Sequence, residues 1–171
     1  EDLDLSHMRS DQRAKCGIGY VPQGRQIFPK LTVEENLRIG LAGRTDHQSQ
    51  VPDEIFDLFP ICHEMKNRMG GDLSGGQQQQ LAMGRALAGD PSVLVLDEPT
   101  EGIQPSIIQM IGEVLRRLAT DRKMTVVLVE QYLDFVKEIS DDFYVMNRGQ
   151  VVAEGLTRDL KGEIVNEFLS V

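Results

Sequence analysis

The chain has 171 residues, 40% apolar and 26% charged, the size and balance of one globular domain able to bury a core. Its 18 basic and 27 acidic residues leave a net charge of −9, which argues against nucleic acid or an anionic lipid surface as direct partner, since both need clustered Lys and Arg. No apolar run approaches the ~20 residues that span a bilayer, and the opening Glu1, Asp2 and Asp4 are the opposite of a basic secretory leader. Cys16 and Cys62 lack metal-ligand spacing and read as two reduced cytosolic thiols rather than a disulfide.

In chain order, Gly17 to Val21 reads as a short strand ending in Pro22-Gln23-Gly24. Thr32 followed by Glu35 is a capping box for a helix carrying Val33, Leu37 and Leu41. The polar stretch from Gly43 to Gln50 reads as a mobile loop, and Asp53 to Phe59, led by Pro52, as a short helix. Val93 to Leu96 is a continuous apolar strand of the kind buried on both faces of a parallel sheet. Pro105 starts a helix whose Ile107, Ile108, Ile111, Val114, Leu115 and Leu118 recur at helical spacing. Met124 to Val129 reads as a second buried strand and Leu133 to Ile139 as a helix. Phe143 to Met146 and Gln150 to Ala153 form a hairpin about Arg148-Gly149, followed by a helix led by Thr157 and a last one ending near Leu169. This alternation implies an α/β domain with a parallel sheet, interrupted by a helical zone.

Two segments carry chemistry. Asp97 and Glu98 end an apolar strand, and ligands of parallel sheets collect beyond strand carboxyl ends. One carboxylate there can hold magnesium while the next positions or deprotonates a water; alone, the pair could equally be a solvated strand end. Ser74 is a good N-cap, and Gly75 and Gly76 let an anion approach backbone N–H groups at a helix N-terminus. By itself that segment reads as an ordinary capped helix. Its position just upstream of the Asp-Glu strand turns the pair toward nucleotide hydrolysis.

Leu73-Ser74-Gly75-Gly76-Gln77 resembles the signature motif of ABC-transporter ATPases, Leu96-Asp97-Glu98-Pro99 their Walker B segment, and Tyr20-Val21-Pro22-Gln23 their Q-loop. The likeness runs in register over essentially the whole chain. It is greatest to the branch serving polar amino acids and amides. Val129-Glu130-Gln131-Tyr132-Leu133-Asp134-Phe135 most resembles the second ATPase of urea importers, with the branched-chain amino-acid importer ATPase next. The resemblance implies an α/β, P-loop NTPase-like ABC nucleotide-binding domain with an inserted helical subdomain. Residues 1–30 would be part of a RecA-like core, 31–90 the helical signature subdomain, and 91–171 the rest of the core.

The same resemblance assigns roles. Gln23 would contact magnesium or the attacking water and sense the permease. Ser74, Gly75, Gly76 and Gln77 would bind the γ-phosphate of ATP held by a partner subunit. Asp97 would hold Mg2+ through water, Glu98 would be the general base, and Gln131 would face the γ-phosphate where the wider family has His. Gln104 stands where the D-loop normally has Asp, which puts cross-dimer coupling through that position in question. Phe28 to Leu31 would lie on the permease-docking surface, although Phe28 and Leu31 could equally be core residues. Expected partners are transmembrane permease subunits, a second related ATPase and, through the complex, a substrate-binding protein; no nucleic acid is expected. The expected location is peripheral, on the cytoplasmic face of the inner membrane.

A phosphate loop needs G-x-x-x-x-G-K-[ST], and no Gly-Lys dipeptide occurs here. The adenine-stacking aromatic and the first strands of such a domain would precede Glu1. The chain is therefore expected to be an N-terminally truncated piece, inactive alone and prone to self-association through exposed sheet edges. The competing readings are a non-catalytic docking or regulatory fragment, and an ABC-type ATPase of DNA repair or the ribosome. Gln23 to Leu73 is too short for the coiled coils of the repair enzymes, and the ribosomal kind usually carries two tandem cassettes.

Overall fold

A computed structural model describes residues 4–160 of the chain. Contacts divide the chain into two units, Glu1–Val129 and Glu130–Val171.

The first unit is built on three parallel strands, β1 (Ile18–Val21), β2 (Val93–Asp97) and β3 (Thr125–Val129), in the order β1-β2-β3. The register pairs Tyr20 with Val95, Val21 with Leu96, and Asp97 with Val129. All three strands therefore end side by side, and the segments that follow them emerge at one edge. Leu94 and Leu96 are fully buried. Burial on both faces, expected from the unbroken apolar runs, is not found. Val93 and Val95 are half-buried, and Tyr20, Val127 and Val129 are 54%, 45% and 51% exposed. Side chains alternate across a strand, so the register gathers Tyr20, Val95, Val127 and Val129 on one face, which the described residues leave partly open.

Before the sheet, α1 (Ser10–Lys15) is a short helix with no buried residue. Between β1 and β2 come α2 (Val33–Gly40), α3 (Asp53–Leu58), α4 (Pro60–Glu64) and α5 (Gly75–Ala88). The Thr32 box closes as expected: Thr32 Oγ1 accepts from the Glu35 N–H at 3.2 Å, and the Glu35 carboxylate accepts from the Thr32 N–H at 2.8 Å. Pro52 caps α3, its missing N–H falling where no helical bond is needed. The segment from Gly43 to Gln50 forms no helix beyond a 3-10 turn over Leu41–Gly43. Arg44 anchors its start through ion pairs to Asp46 and Asp90.

Helix α5 is the centre of this zone. At Gly84 an added Cβ would meet Leu37 of α2, Ile55 of α3 and Phe59, all of them buried. At Gly40 a Cβ would fall on the Arg85 carbonyl, so α2 approaches α5 where its own backbone could not carry a side chain. Helix α6 (Pro105–Asp121) buries Ile111, Val114, Leu115 and Leu118 of the stripe read from its spacing, while Ile107 and Ile108 are only half-buried.

The second unit holds α7 (Leu133–Ile139) and an antiparallel hairpin, β4 (Asp142–Asn147) with β5 (Gln150–Leu156). Arg148 and Gly149 both have positive φ, 50° and 79°, the two-residue turn that matches hairpin twist. Phe143, Val145 and Leu160 form its core. Thr157–Asp159 is a single 3-10 turn in place of the expected helix. The helix expected to end near Leu169 lies outside the described residues.

Candidate functional site

The carboxyl edge of the sheet brings together residues from the loops after β1 and β2. Gln23, two positions past β1, donates from Nε2 to Glu98 Oε2 at 2.9 Å and to Glu101 Oε2 at 3.1 Å. Asp97 closes β2, and its Oδ2 accepts a long bond from Tyr20 Oη at 3.4 Å. Desolvation, and then the Asp97 carboxylate, raise the Tyr20 phenol above its ordinary pKa. Glu98 sits at φ 46°, a left-handed conformation rare for residues other than glycine. Its N–H is tied to the Val129 carbonyl at 2.9 Å. Such strain persists only where surrounding bonds over-determine it, and it concentrates at functional positions.

Oxygen donors from Gln23, Asp97 and Glu98 suit a hard divalent cation. Magnesium is usually held by one or two carboxylates plus substrate phosphates rather than by a full protein cage. The described residues contain no group of three or more His, Cys, Asp or Glu poised to enclose a metal.

The second element is the N-terminus of α5. Ser74 caps it, accepting from the Gln77 N–H at 3.4 Å, while the Gln77 side chain accepts from the Ser74 N–H at 2.9 Å. Ser74, Gly75, Gly76, Gln77 and Gln80 line an open cleft of about 370 Å³ together with Gly102 and Gln104. The absence of side chains at the two glycines leaves backbone N–H groups and the positive end of a 14-residue helix facing this cleft, a fitting environment for phosphate. Neither Asp97 nor Glu98 lines it. Within one chain, therefore, the structure groups Gln23 with Asp97 and Glu98, and separately groups Ser74 to Gln77 with Gly102 and Gln104. Gln131 belongs to the second unit, where its N–H donates to Glu130 Oε2 at 3.0 Å.

Several residues that pattern reading passed over hold these parts in place. Gly24, Arg25 and Gln26 have successive positive φ values of 73°, 68° and 42°. The two non-glycine members cost about 1–2 kcal/mol each in such a conformation. Arg85 of α5 sustains them by donating to the Gln26 carbonyl at 2.9 Å and the Arg25 carbonyl at 3.2 Å, its guanidinium 5.3 Å from the Phe28 ring centroid. Burial pushes the Arg85 pKa down, though a guanidinium remains charged. Asn36, fully buried on α2, accepts from the Phe28 N–H at 2.8 Å and donates to the carbonyls of Phe28, Leu31 and Thr32. Phe28 itself is 44% exposed, so it is not a core residue. No motif announces Arg85 or Asn36; each is a polar residue within a helical sequence, visible only once its partners are known.

Comparison with known proteins identifies the family and the fold. A family model described as ABC transporter matches residues 2–101. The chain is 40% identical over 154 residues to the high-affinity branched-chain amino acid transport ATP-binding protein BraG of Pseudomonas aeruginosa, covering 89% of this chain and 65% of BraG. It is 39% identical over 160 residues to a protein of Archaeoglobus fulgidus named "Probable branched-chain amino acid transport ATP-binding protein LivF", covering 92% and 67% respectively. It thus spans about two thirds of the length of these relatives. Among solved structures, the ADP conformation of MJ1267, an ATP-binding cassette of an ABC transporter, superposes with a TM-score of 0.75 at 26% identity, over all of this chain and 75% of that one. The fold is that of an ATP-binding cassette, with its parallel sheet and the helices between β1 and β2. The chain belongs to the ABC transporter family.

Proposed function

We propose that this chain provides one half of a composite ATP site in the ATPase subunit of an importer. The observation that carries the reading is the Gln23–Glu98–Glu101 cluster at the carboxyl edge of the sheet, formed apart from the Ser74–Gln77 cleft. Asp97 and Glu98 lie outside the lining of that cleft, which suits a head-to-tail pair with each cleft facing a nucleotide held by the other subunit.

In this reading Asp97 holds Mg2+ through water, and Glu98 accepts a proton from the attacking water. Gln23 orients the Glu98 carboxylate through the 2.9 Å bond. Ser74, Gly75, Gly76 and Gln77 receive the γ-phosphate of the opposite nucleotide, and Gln131 contacts the γ-phosphate as an uncharged donor. ATP bound with Mg2+ supplies the phosphoanhydride whose hydrolysis drives transport. A phosphate-loop lysine is needed as well, and no Gly-Lys dipeptide occurs in the 171 residues. By themselves these residues are expected neither to bind ATP tightly nor to hydrolyse it. Partners in this reading are permease subunits, a second ATPase and a substrate-binding protein, at the inner face of the membrane.

Two cargoes have specific support. The names of BraG and LivF favour branched-chain amino acids, and the Val129-to-Phe135 segment favours urea or short amides. The test is ATP hydrolysis and solute uptake by the full-length subunit assembled with its permease. Glu98→Gln is expected to lower hydrolysis by at least ~100-fold, the usual loss on removing a general base. Undiminished hydrolysis by that variant would overturn the reading. Labelled leucine and labelled urea, offered in turn, decide the cargo.

A further inference from the structure

Arg25 occupies a place that the roles above leave unexplained. Its guanidinium donates from Nη2 to the Glu101 carbonyl at 2.9 Å. The same group lies against Gly75, where an added Cβ would meet Nη1 at 3.4 Å and Nη2 at 3.5 Å, and near Gly102 at 3.8 Å by the same measure. It thus spans two backbone segments, the first residue of α5 and the turn after Glu98, both of which line the cleft. Gln23 grips the Glu101 carboxylate while Arg25 grips the Glu101 carbonyl, so one residue is held from two points of one loop. That loop is itself locked in its left-handed conformation by Arg85, from the last turn of α5. The contacts close a ring: α5 through Arg85 to residues 25 and 26, and Arg25 back to Glu101 and to the start of α5.

A guanidinium beside the positive end of a helix is electrostatically unfavourable by itself. Here its bond to the Glu101 carbonyl and the planar fit over a residue without a side chain hold it in place. We propose that Arg25 is a positioning residue, setting the spacing between the Glu101–Gly102 turn and the N-terminus of α5 so that the cleft receives phosphate in reactive alignment. This inference rests on the composite-site reading. It assigns Arg25 no contact with the nucleotide, so its effect falls on turnover rather than on ATP affinity.

The test compares Arg25→Ala and Arg25→Lys in the full-length subunit assembled with its permease, with Glu98→Gln alongside. A misplacement of about 1 Å at a reacting centre lowers rates by up to ~100-fold. Arg25→Ala is expected to reduce kcat by at least ~10-fold while KM for ATP stays within about twofold of wild type. Arg25→Lys keeps the charge but not the flat fork that bridges two backbone segments, and is expected to recover little of the loss. A wild-type kcat for Arg25→Ala, a change confined to KM, or full rescue by lysine would each overturn the proposal. Should Arg25→Ala fail to fold, Arg25→Met keeps the aliphatic stem and is read by the same criteria. If Glu98→Gln hydrolyses ATP normally, the composite-site reading falls and this inference with it. If Glu98→Gln is inactive and Arg25→Ala is not impaired, only this inference falls.

Discussion

The amide of Gln23 donates to the carboxylate of Glu98 at 2.9 Å across 75 residues of sequence. The bond joins the loop after β1 to the end of β2, and the same amide reaches Glu101 at 3.1 Å. One side chain therefore fixes two carboxylates with its single pair of N–H donors.

Removing that amide should leave Glu98 without its orienting donor. In the assembled full-length subunit, Gln23→Ala is expected to lower the hydrolysis rate by about 10–100-fold, with ATP affinity retained, because positioning rather than binding is lost. Steady-state hydrolysis and equilibrium nucleotide binding, measured on one preparation, separate the two effects. A drop in affinity with unchanged turnover would contradict this role.

Asn36 is the second point of leverage. Replacing it with Leu preserves bulk but removes the acceptor of the Phe28 N–H, while the carbonyls of Phe28, Leu31 and Thr32 keep their bonds from the N–H groups of Leu31, Gly70 and Asn36. Unpaired buried groups cost about 1–3 kcal/mol each, and part of this one is regained from water near exposed Phe28. A loss of roughly 1–3 kcal/mol in chemical denaturation is expected. A neutral substitution would show that the amide is dispensable.

Gly40→Ala should destabilise, against ordinary helix propensity, which favours Ala by ~1 kcal/mol. The new methyl group would fall on the Arg85 carbonyl, and separating α2 from α5 to make room is expected to cost about 1–3 kcal/mol. Thermal melting decides the sign, and a raised midpoint would exclude the close crossing.

The two thiols should differ in reactivity. Cys16 is exposed, whereas burial pushes the Cys62 thiol up to about 12. A thiol reagent at pH 8 is expected to label Cys16 alone in the folded chain and both residues in denaturant. Linkage gives the matching pH effect. Between the ordinary value of 9.0 and about 12, the unfolded chain releases the Cys62 proton and the folded one keeps it. The Cys62 contribution is thus complete below pH 9.0 and diminishes as pH rises through that window. Equal labelling of both thiols in the folded chain would refute the burial.

Much of this architecture was legible in residues whose signals are local. Thr32 with Glu35 and Ser74 as a cap act within one helical turn. Arg148-Gly149 specifies its own hairpin turn, and the α6 stripe repeats over 17 residues. The shortcomings arise where the outcome depends on distant chain. An apolar run such as Val126 to Val129 reads the same whether one face or two are covered, and only the three-dimensional neighbours leave Val127 and Val129 exposed. The short α1 and α4 lack a periodic stripe long enough to register. The motifs located Gln23, Ser74, Asp97 and Glu98, and the resemblance implied which would act together, but not the bonds that hold them. The Gln23–Glu101 bond and the grip of Arg85 on residues 25 and 26 join chain segments 78 and about 60 residues apart, beyond the reach of any spacing rule.

The Asn36 side chain gives the stretch from Phe28 to Thr32 a property its backbone does not have. Backbone bonds tie that stretch to itself and to Gly70 and Gly71, and the Asn36 amide adds a direct link to α2, much as a bracket fixes a cable to a beam. A push delivered to the half-exposed ring of Phe28 is then carried into the helix axis instead of being absorbed as slack.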